Sequence, residues 1–165
     1  MATRDYLLEL KSPDVKGESQ DDQYPNAIEL DSWSWSGSNA SSHAHGAGGG
    51  SGKVTHGGIS CQKPYCKASV VMFSKLNDGE HFGEAILHCR KKTGDGQQLE
   101  YLKVTMKKVT ISNLHTGGHS SSDVSDSFNL DYEEIKWEYT EQTSDGKKGA
   151  VVQAGYNLAK NKKVG

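Results

Sequence analysis

The feature that most constrains this chain is a strand-like segment whose alternation changes phase halfway along. Ile28 and Leu30 fall on even positions, whereas Trp33 and Trp35 fall on odd positions. Successive side chains of a strand point to opposite faces, so the change requires either two buried faces or a β-bulge near Asp31–Ser32. A chain with such segments is expected to bend its strands sharply.

Two longer segments repeat this change of phase. In residues 99–113 the apolar positions pass from even to odd after Met106, and in residues 128–139 they do so after Tyr132. Strands that switch in this way are typical of the corners of a small barrel. Period-two patterns predict further strands over residues 4–11, 82–91 and 151–159.

One segment has helical spacing instead. Its apolar residues recur every three or four positions, at Tyr65, Ala68, Met72 and Leu76. Pro64 suits the first position of a helix, and the sequence ending in Gly79 supplies a stop. We therefore predict one helix over about residues 63–77, flanking a mainly β structure.

Composition agrees with a β-rich single domain over residues 1–165. Hydrophobic residues make up 33% of the chain and glycine contributes 19 residues, which argues against a helical bundle. The formal net charge of −2 gives no electrostatic reason to expect nucleic acid or a membrane as partner. The first ten residues lack an apolar run of signal-peptide length, so we expect no general export signal.

Glycine is concentrated in residues 36–58, which hold eight of the 19 glycines. This long Gly-rich loop cannot bury much apolar surface, and a loop of this kind inside a compact domain is usually functional or ordered by a partner. Two further loops are predicted at residues 115–127 and 143–149, which are rich in Ser, Gly, Asp and Lys.

The sequence gives no positive sign of catalysis or of a bound cofactor. A phosphate-binding loop ending at Lys53 would need glycine where Ala47 stands and a hydroxyl residue where Val54 stands. Adjacent carboxylates, as at Glu133–Glu134, point to opposite faces of a strand and form no dyad. We predict no catalytic residues.

A metal site is not predicted either. The histidines lie mostly in Gly/Ser-rich loops, and Cys61 and Cys66 are widely spaced without a second matching pair. With Cys89 they make an odd count, so we interpret all three as reduced thiols packed as small apolar groups.

An ordered set of short motifs resembles the haemolysin co-regulated protein (Hcp) family across nearly the whole chain. The set comprises Lys16–Ser19, Trp33–Trp35, the Gly-rich loop, Glu100–Met106, Phe128–Tyr132, Ile135–Tyr139 and Gly155–Asn157. The family often has Trp where Tyr156 stands here, and it does not explain His43, His45 and His56 in the loop.

The resemblance implies a small two-sheet β-barrel with one flanking helix, assembled as homohexameric rings. Such rings stack into the inner tube of the bacterial type VI secretion system, inside a contractile sheath and beneath a spike protein. The lumen of the ring holds effector proteins. The resemblance also implies that the protein is cytoplasmic when assembled and is then secreted without a signal peptide.

These implications suggest roles for particular residues. We expect the loop from Ser38 to Lys53 to mediate contact between stacked rings, through Ser38, Gly46, Gly48, Gly49, Gly50, Ser51, Gly52 and Lys53. We expect a structural core that includes Trp33, Trp35, Trp137 and Tyr139. Ser34 would then point out of the barrel, and we hypothesise that it lies on the effector-facing wall of the lumen.

Two other functions fit the residues. One is a β-barrel that binds or hydrolyses a sugar or peptide, using carboxylates or loop histidines. The other is a carrier that chaperones one cognate effector. The particle size of the purified protein distinguishes the sugar- or peptide-acting barrel, which would be a monomer, from a ring-forming subunit. Capture of bound proteins from the parent cytoplasm distinguishes the carrier of one effector from a general tube subunit.

Overall fold

A computed structural model describes residues 4–39 and 54–165 of the chain. Twelve strands and one helix lie within these ranges. They are β1 (Arg4–Lys11), β2 (Ile28–Leu30), β3 (Ser32–Ser34), β4 (Gly37–Asn39), β5 (Val54–His56), β6 (Ile59–Pro64), α1 (Lys67–Asp78), β7 (Phe82–Lys92), β8 (Gln98–His119), β9 (Ser122–Asp131), β10 (Glu134–Gln142), β11 (Lys148–Asn157) and β12 (Lys162–Val164). None of the described helices is of a length and apolarity that would cross a membrane.

Two antiparallel sheets share the long strand β8. The larger sheet has the order β12-β11-β10-β8-β7-β1-β2, and the smaller sheet has the order β3-β6-β9-β8. Strands β4 and β5 form a separate two-stranded ribbon. Most of the described chain therefore belongs to one continuous β framework, as the sequence predicted.

The segments that change phase carry the chain from one sheet to the other. In the first, β2 pairs with β1 in the larger sheet and β3 pairs with β6 in the smaller one, with only Asp31 between them. In the second, β8 pairs with β7 as far as Val109 and with β9 from Thr110. Lys108, with a φ of 51°, lies at this bend. The predicted corners are confirmed, and they close the two sheets around one core.

The third such segment is two strands rather than one bent strand. Strand β9 ends at Asp131 and β10 begins at Glu134, and the two pair with different halves of β8. At the change of partner the backbone N–H of Glu133 donates to the carbonyl of Lys107 at 3.0 Å. The change of phase therefore marks a switch between sheets in all three segments.

The core lies between the sheets and is closed by the helix. Leu8, Leu87 and Val104 fill the middle of the larger sheet, and each is fully buried. Leu130 from the smaller sheet and Met72 from α1 pack into the same cluster. This arrangement is the two-sheet barrel with one flanking helix that was expected.

The helix begins later than the sequence predicted. Cys66 is its N-cap, and Pro64 ends β6 instead of opening the helix. The reason is the strict alternation of burial along Ile59–Pro64, which extends the strand to the proline. The predicted stop is confirmed, because Gly79 adopts a left-handed conformation with a φ of 64° and caps the last turn.

The Ser/Gly-rich stretch 115–127 was predicted to be a loop, and this prediction is wrong. Strands β8 and β9 continue through it as a hairpin that turns between His119 and Ser122. Its side chains are largely exposed, so the stretch can be polar and still form the backbone hydrogen bonds that join two antiparallel strands. The predicted loop at residues 143–149 is confirmed as a turn between β10 and β11.

Three of the four aromatic residues expected in the core pack against it. Trp33, Trp35 and Trp137 are partly buried beside the core cluster. Tyr139 is 46% exposed, and its placement in the core was wrong for the single chain. Its strand partner Val152 is 67% exposed as well, because this end of β10 and β11 lies uncovered among the described residues.

Candidate functional site

The middle of the outer face of the smaller sheet is a polar surface without charged side chains. Along β6 the residues Ile59 and Cys61 point into the core, while Ser60 and Gln62 point outward. The same alternation on β3, β8 and β9 builds a shallow concavity of about 450 Å³. The outward-facing side chains that line it are Ser32, Ser34, Ser60, Gln62, Asn113, His115, Ser127 and Asn129.

Side chains on this face hold one another by hydrogen bonds. The hydroxyl of Ser60 donates to Oδ1 of Asn129 at 2.7 Å, and the hydroxyl of Ser32 lies 3.4 Å from Oε1 of Gln62. No Asp, Glu, Lys or Arg side chain lines the concavity within the described residues. We call this the open face, and it offers donors and acceptors without net charge.

Ser34 lies on the open face. It is exposed, and its neighbours Trp33 and Trp35 are half-buried on the other side of the strand. The outward direction of Ser34 that the sequence predicts is therefore confirmed. The pairing of Ser34 with Ser60 places it beside the middle of the polar surface.

An aromatic cluster anchors the base of the Gly-rich loop. The indole N–H of Trp35 donates to the hydroxyl of Tyr132 at 2.7 Å, and that hydroxyl donates to the carbonyl of Gly57 at 2.9 Å. His56 stacks on Tyr156 at 5.6 Å between ring centroids and lies 3.2 Å from the same hydroxyl. Burial raises the pKa of Tyr132, so this hydroxyl remains a donor.

The loop enters and leaves through the ribbon of β4 and β5. Ser38 is exposed in β4 and pairs with Thr55. The remaining residues assigned to ring stacking lie outside the described residues; they are Gly46, Gly48, Gly49, Gly50, Ser51, Gly52 and Lys53. The two ends of the loop are thus held side by side above the aromatic cluster.

A buried ion pair supports the open face from within. Nζ of Lys63 lies 2.7 Å from Oδ2 of Asp126, and both side chains are fully buried. The ammonium also donates to the hydroxyl of Ser69 at 2.5 Å, and Thr116 donates to the second carboxylate oxygen at 2.6 Å. Burial alone raises the pKa of Asp126, but the hydrogen bonds from Lys63, Ser69 and Thr116 outweigh it and lower the pKa.

This pair was not predicted from the sequence, although the sequence carries a signal for it. Lys63 stands at an odd position of β6, in phase with the buried Ile59 and Cys61. A lysine in a buried phase requires a buried partner. Which acid supplies it depends on the pairing of β6 with β9, and that pairing is a tertiary property.

Residues 12–27, which we call the covering segment, lie over the part of the outer face of the larger sheet that β1 and β7 form. Tyr24 stacks on His88 at 4.0 Å between ring centroids. Nε2 of His88 lies 2.7 Å from Oε1 of Glu9, and Nδ1 contacts Glu100. Burial by itself raises the pKa of Glu100, but hydrogen bonds from His88 and Tyr24 bring it below its usual value.

A second contact fixes the covering segment through Arg90. This guanidinium donates to both carboxylate oxygens of Asp21, at 3.0 and 2.7 Å, and to Asp5 at 3.2 Å. The hydrogen bond from Arg90 lowers the pKa of Asp21. The motif at Lys16–Ser19 also belongs here, because a Cβ on Gly17 would lie 2.4 Å from the carbonyl oxygen of Ala27.

The cysteines are free thiols. Cys61 and Cys89 are buried, and burial raises the pKa of each to about 12, so both stay protonated. Cys66 is partly buried at the start of α1. Across residues 4–39 and 54–165, no three His, Cys, Asp or Glu side chains are grouped as metal ligands.

Comparison with known proteins agrees with this architecture. The family described as "Type VI secretion system effector, Hcp" matches residues 8–139. Protein hcp1 of Pseudomonas aeruginosa is 41% identical over 154 residues, which cover 92% of this chain and 94% of that protein. Hcp1 from Salmonella typhimurium has a crystal structure that superposes with a TM-score of 0.80 at 27% identity, covering 99% of this chain and 100% of that one.

A further solved structure, described as that of a type six secretion system protein, superposes with a TM-score of 0.89 at 26% identity and covers 97% of this chain and 99% of that one. Fold and sequence together define a structural tube protein of the type VI secretion system. The chain belongs to the Hcp family, whose members assemble into hexameric rings.

Proposed function

We propose that rings of this chain carry effector proteins against the open face, and that the Gly-rich loop joins each ring to the next in the tube. The observation that carries the proposal is the open face itself. It is a concave, uncharged sheet surface that the described residues leave uncovered, with Ser34 beside its middle. In a ring, a face of this kind suits the wall of a channel.

Neutral hydroxyl and amide groups suit cargo that must be released. Their hydrogen bonds replace similar bonds to water, so each contributes little net free energy. A charged wall would bind oppositely charged cargo tightly and exclude cargo of like charge. The open face therefore fits several cargoes held weakly and reversibly.

Replacing Ser34 with arginine tests the cargo role. A long charged side chain at this position should reduce effector retention, while the hexameric ring persists. The matched control is Gln20→Arg, because Gln20 is exposed in residues 12–27, which lie over the larger sheet and away from the open face. Co-purification of effectors with the ring gives the readout, and equal retention by both variants would exclude the open face as the cargo surface.

The proposed stacking role is supported by the anchored base of the loop. The ribbon of β4 and β5 fixes where the loop leaves the barrel, so a loop from one ring has a defined starting point toward a neighbour. Glycine lets backbones approach closely, which favours main-chain hydrogen bonds between rings.

Shortening the segment from Gly46 to Gly52 should leave the hexamer intact and prevent tube formation. The control replaces Ala44 and Ala47 with serine, which keeps both the length of the loop and its glycines. Electron microscopy and sedimentation separate single rings from tubes. Tubes of normal length from the shortened chain would refute the stacking role.

The remaining partners follow from the secretion system to which the family belongs. We propose that the sheath surrounds the outside of the tube, that the spike protein caps it, and that contraction expels the protein without a signal peptide. The chain should appear in the culture medium only when contraction is intact. Secretion from cells whose sheath cannot contract would contradict this route.

A particle mass near six times 17.9 kDa is expected for the purified chain. A monomer at high concentration would contradict the assembly and would favour a barrel that acts alone on a sugar or peptide.

A further inference from the structure

One side chain on the open face has a charge that depends on pH near neutrality. Among the described residues that line the concavity, His115 is the only histidine, and it is exposed. Histidine is the side chain that ordinarily gains its proton between about pH 8 and pH 5. The thiol of Cys61 also lines the concavity, but burial raises the pKa of Cys61 to about 12, so it stays neutral. The charge of these lining residues therefore follows the imidazole of His115.

The fold gives this imidazole room on the open face. His115 lies on β8, the outer strand of the smaller sheet, and pairs with Ser127 of β9. The next outward position along β8 is Gly117, where a Cβ would lie 3.6 Å from Nε2 of His115. The imidazole therefore extends over a residue that has no side chain to displace it. Within the described part of the chain it has no hydrogen-bond partner, so its ring nitrogens are available to a ligand.

The acids that share the outward side of β9 lie far from His115. They are Asp123 and Asp131, each four positions from Ser127, the strand partner of His115. Four positions along a strand span about 13 Å, which is longer than the Debye length at physiological ionic strength. The attraction between either carboxylate and a protonated His115 is therefore largely screened.

The other ionisable groups near His115 are already paired or bonded. Asp126 is adjacent to Ser127 but points inward, where Lys63 neutralises it in the buried ion pair. His119 lies farther along β8, and its Nδ1 is 3.0 Å from the hydroxyl of Ser121. The remaining side chains that line the concavity, on β3, β6, β8 and β9, are neutral. Among the described residues, a proton on His115 thus adds a positive charge that no neighbour offsets.

Ring assembly repeats this charge around one channel. A hexameric ring holds six copies of His115 on the proposed channel wall. A concave surface lined by charges of one sign attracts ligands of the opposite sign and repels ligands of the same sign. As the pH falls, the wall therefore changes from a neutral surface to a positively charged one.

We propose that His115 determines which cargo charge the open face accepts. Below about pH 6 its imidazolium binds cargo segments rich in Asp and Glu and repels segments rich in Lys and Arg. Above about pH 7.5 the neutral imidazole does neither, so acidic cargo is released. The inference rests on the proposed cargo role of the open face, and it adds the class of ligand and the group that selects it.

Two fluorescent peptides of equal length test this preference. One repeats Glu between Ser and Gly, and the other has Lys in place of every Glu. Fluorescence anisotropy with purified rings measures both affinities at about pH 8 and at about pH 5.5, where glutamate remains ionised. For the unmodified chain, the ratio of Glu-peptide to Lys-peptide affinity should rise about threefold or more on acidification, which is the size expected of exposed ion pairs.

Substitutions of His115 separate its imidazole from the other groups that titrate. His115→Asn stays neutral, so the affinity ratio should not change with pH. His115→Lys stays positive, so the ratio should be high at both pH values. The matched control is His81→Asn, because His81 is exposed just before β7 and does not line the concavity; this variant should keep the rise. Sedimentation checks that each variant still forms rings.

The results that contradict the inference differ from those that contradict the cargo role. A rise that persists in His115→Asn would overturn the inference, as would a Glu-rich peptide that fails to bind the unmodified ring at about pH 5.5. If Ser34→Arg loses effectors while the peptide ratio ignores pH, the cargo role stands and the assignment of His115 falls. If Ser34→Arg retains effectors as well as its control does, the cargo role itself is wrong.

Discussion

The two sheets of this protein treat their outer faces in opposite ways. Residues 12–27 cover part of the outer face of the larger sheet, where Tyr24 stacks on His88 and Asp21 pairs with Arg90. The smaller sheet leaves its outer face open, with no charged side chain among those that line its concavity. The chain therefore covers part of one face by itself and leaves the other face available for another molecule.

The difference also shows where stability comes from. Charged hydrogen bonds on the covered face hold a segment that has little apolar surface of its own. The open face receives no such support from outside, so its rigidity depends on what lies beneath it. There the fully buried pair of Lys63 and Asp126 ties β6 to β9.

The largest expected effect comes from breaking that pair. Lys63→Met should lower the free energy of unfolding by about 3–5 kcal/mol, because it leaves the carboxylate of Asp126 buried without its counter-charge. Chemical denaturation measures the change. Lys107→Met removes an exposed partner of Glu134 and should cost less than about 1 kcal/mol. Equal costs for the two would show that the open face is not supported from within.

A smaller effect is expected from displacing the covering segment. Gly17→Ala would bring a Cβ to 2.4 Å from the carbonyl oxygen of Ala27, and the backbone must shift at a cost of about 1–3 kcal/mol. Faster hydrogen exchange confined to residues 12–27 would locate the change. The control is Gly94→Ala, where the new methyl group would meet no atom within 4 Å. Unchanged exchange in the first variant would contradict a segment that fits closely.

The charged contact of the covered face should appear as a pH dependence. The folded-state pKa of Asp21 is below its usual 3.8, so its contribution is present above that value and disappears as the pH falls through the folded-state pKa. Asp21→Asn should therefore cost about 1 kcal/mol at pH 7 and progressively less below about pH 4. Urea denaturation at pH 7 and below about pH 4 measures the free energy of unfolding of both chains. Asp22→Asn is the control, because Asp22 is the exposed neighbour of Asp21. A difference that does not depend on pH would exclude the ionised contact with Arg90.

The smallest effect on stability is expected on the open face. Ser34→Arg should change the free energy of unfolding by less than about 0.5 kcal/mol, because the side chain is exposed and its new charge can reach water. A thermal melt of the purified variant checks this. A larger loss would show that Ser34 supports the fold, and a fall in effector retention would then have a structural explanation.

Much of the fold could be predicted because it follows from local alternation. The phase changes at Asp31 and near Lys108 were visible in the sequence, since a strand with a buried face must keep period two until its environment changes. The hairpin through residues 115–127 was not visible. Its polar residues carry no burial pattern, and only pairing between β8 and β9 makes them strands.

The candidate site likewise has features that could be predicted from the sequence and features that could not. The outward direction of Ser34 could be predicted from the tryptophans on either side of it. The exposure of Tyr139 could not, because its alternation matches that of Trp137 and only the extent of the smaller sheet decides which of the two is covered.

By itself, the sequence determined which side chains face inward along each strand, where the helix ends, and which family the motifs resemble. These properties depend on residues a few positions apart, and the backbone geometry of strands and helices relates them directly. The tertiary structure alone decided that Asp126 is the partner of Lys63, that Tyr24 covers His88, and that Tyr139 and Val152 remain exposed. Each of these depends on the register between distant strands, which is set by the packing of the whole core.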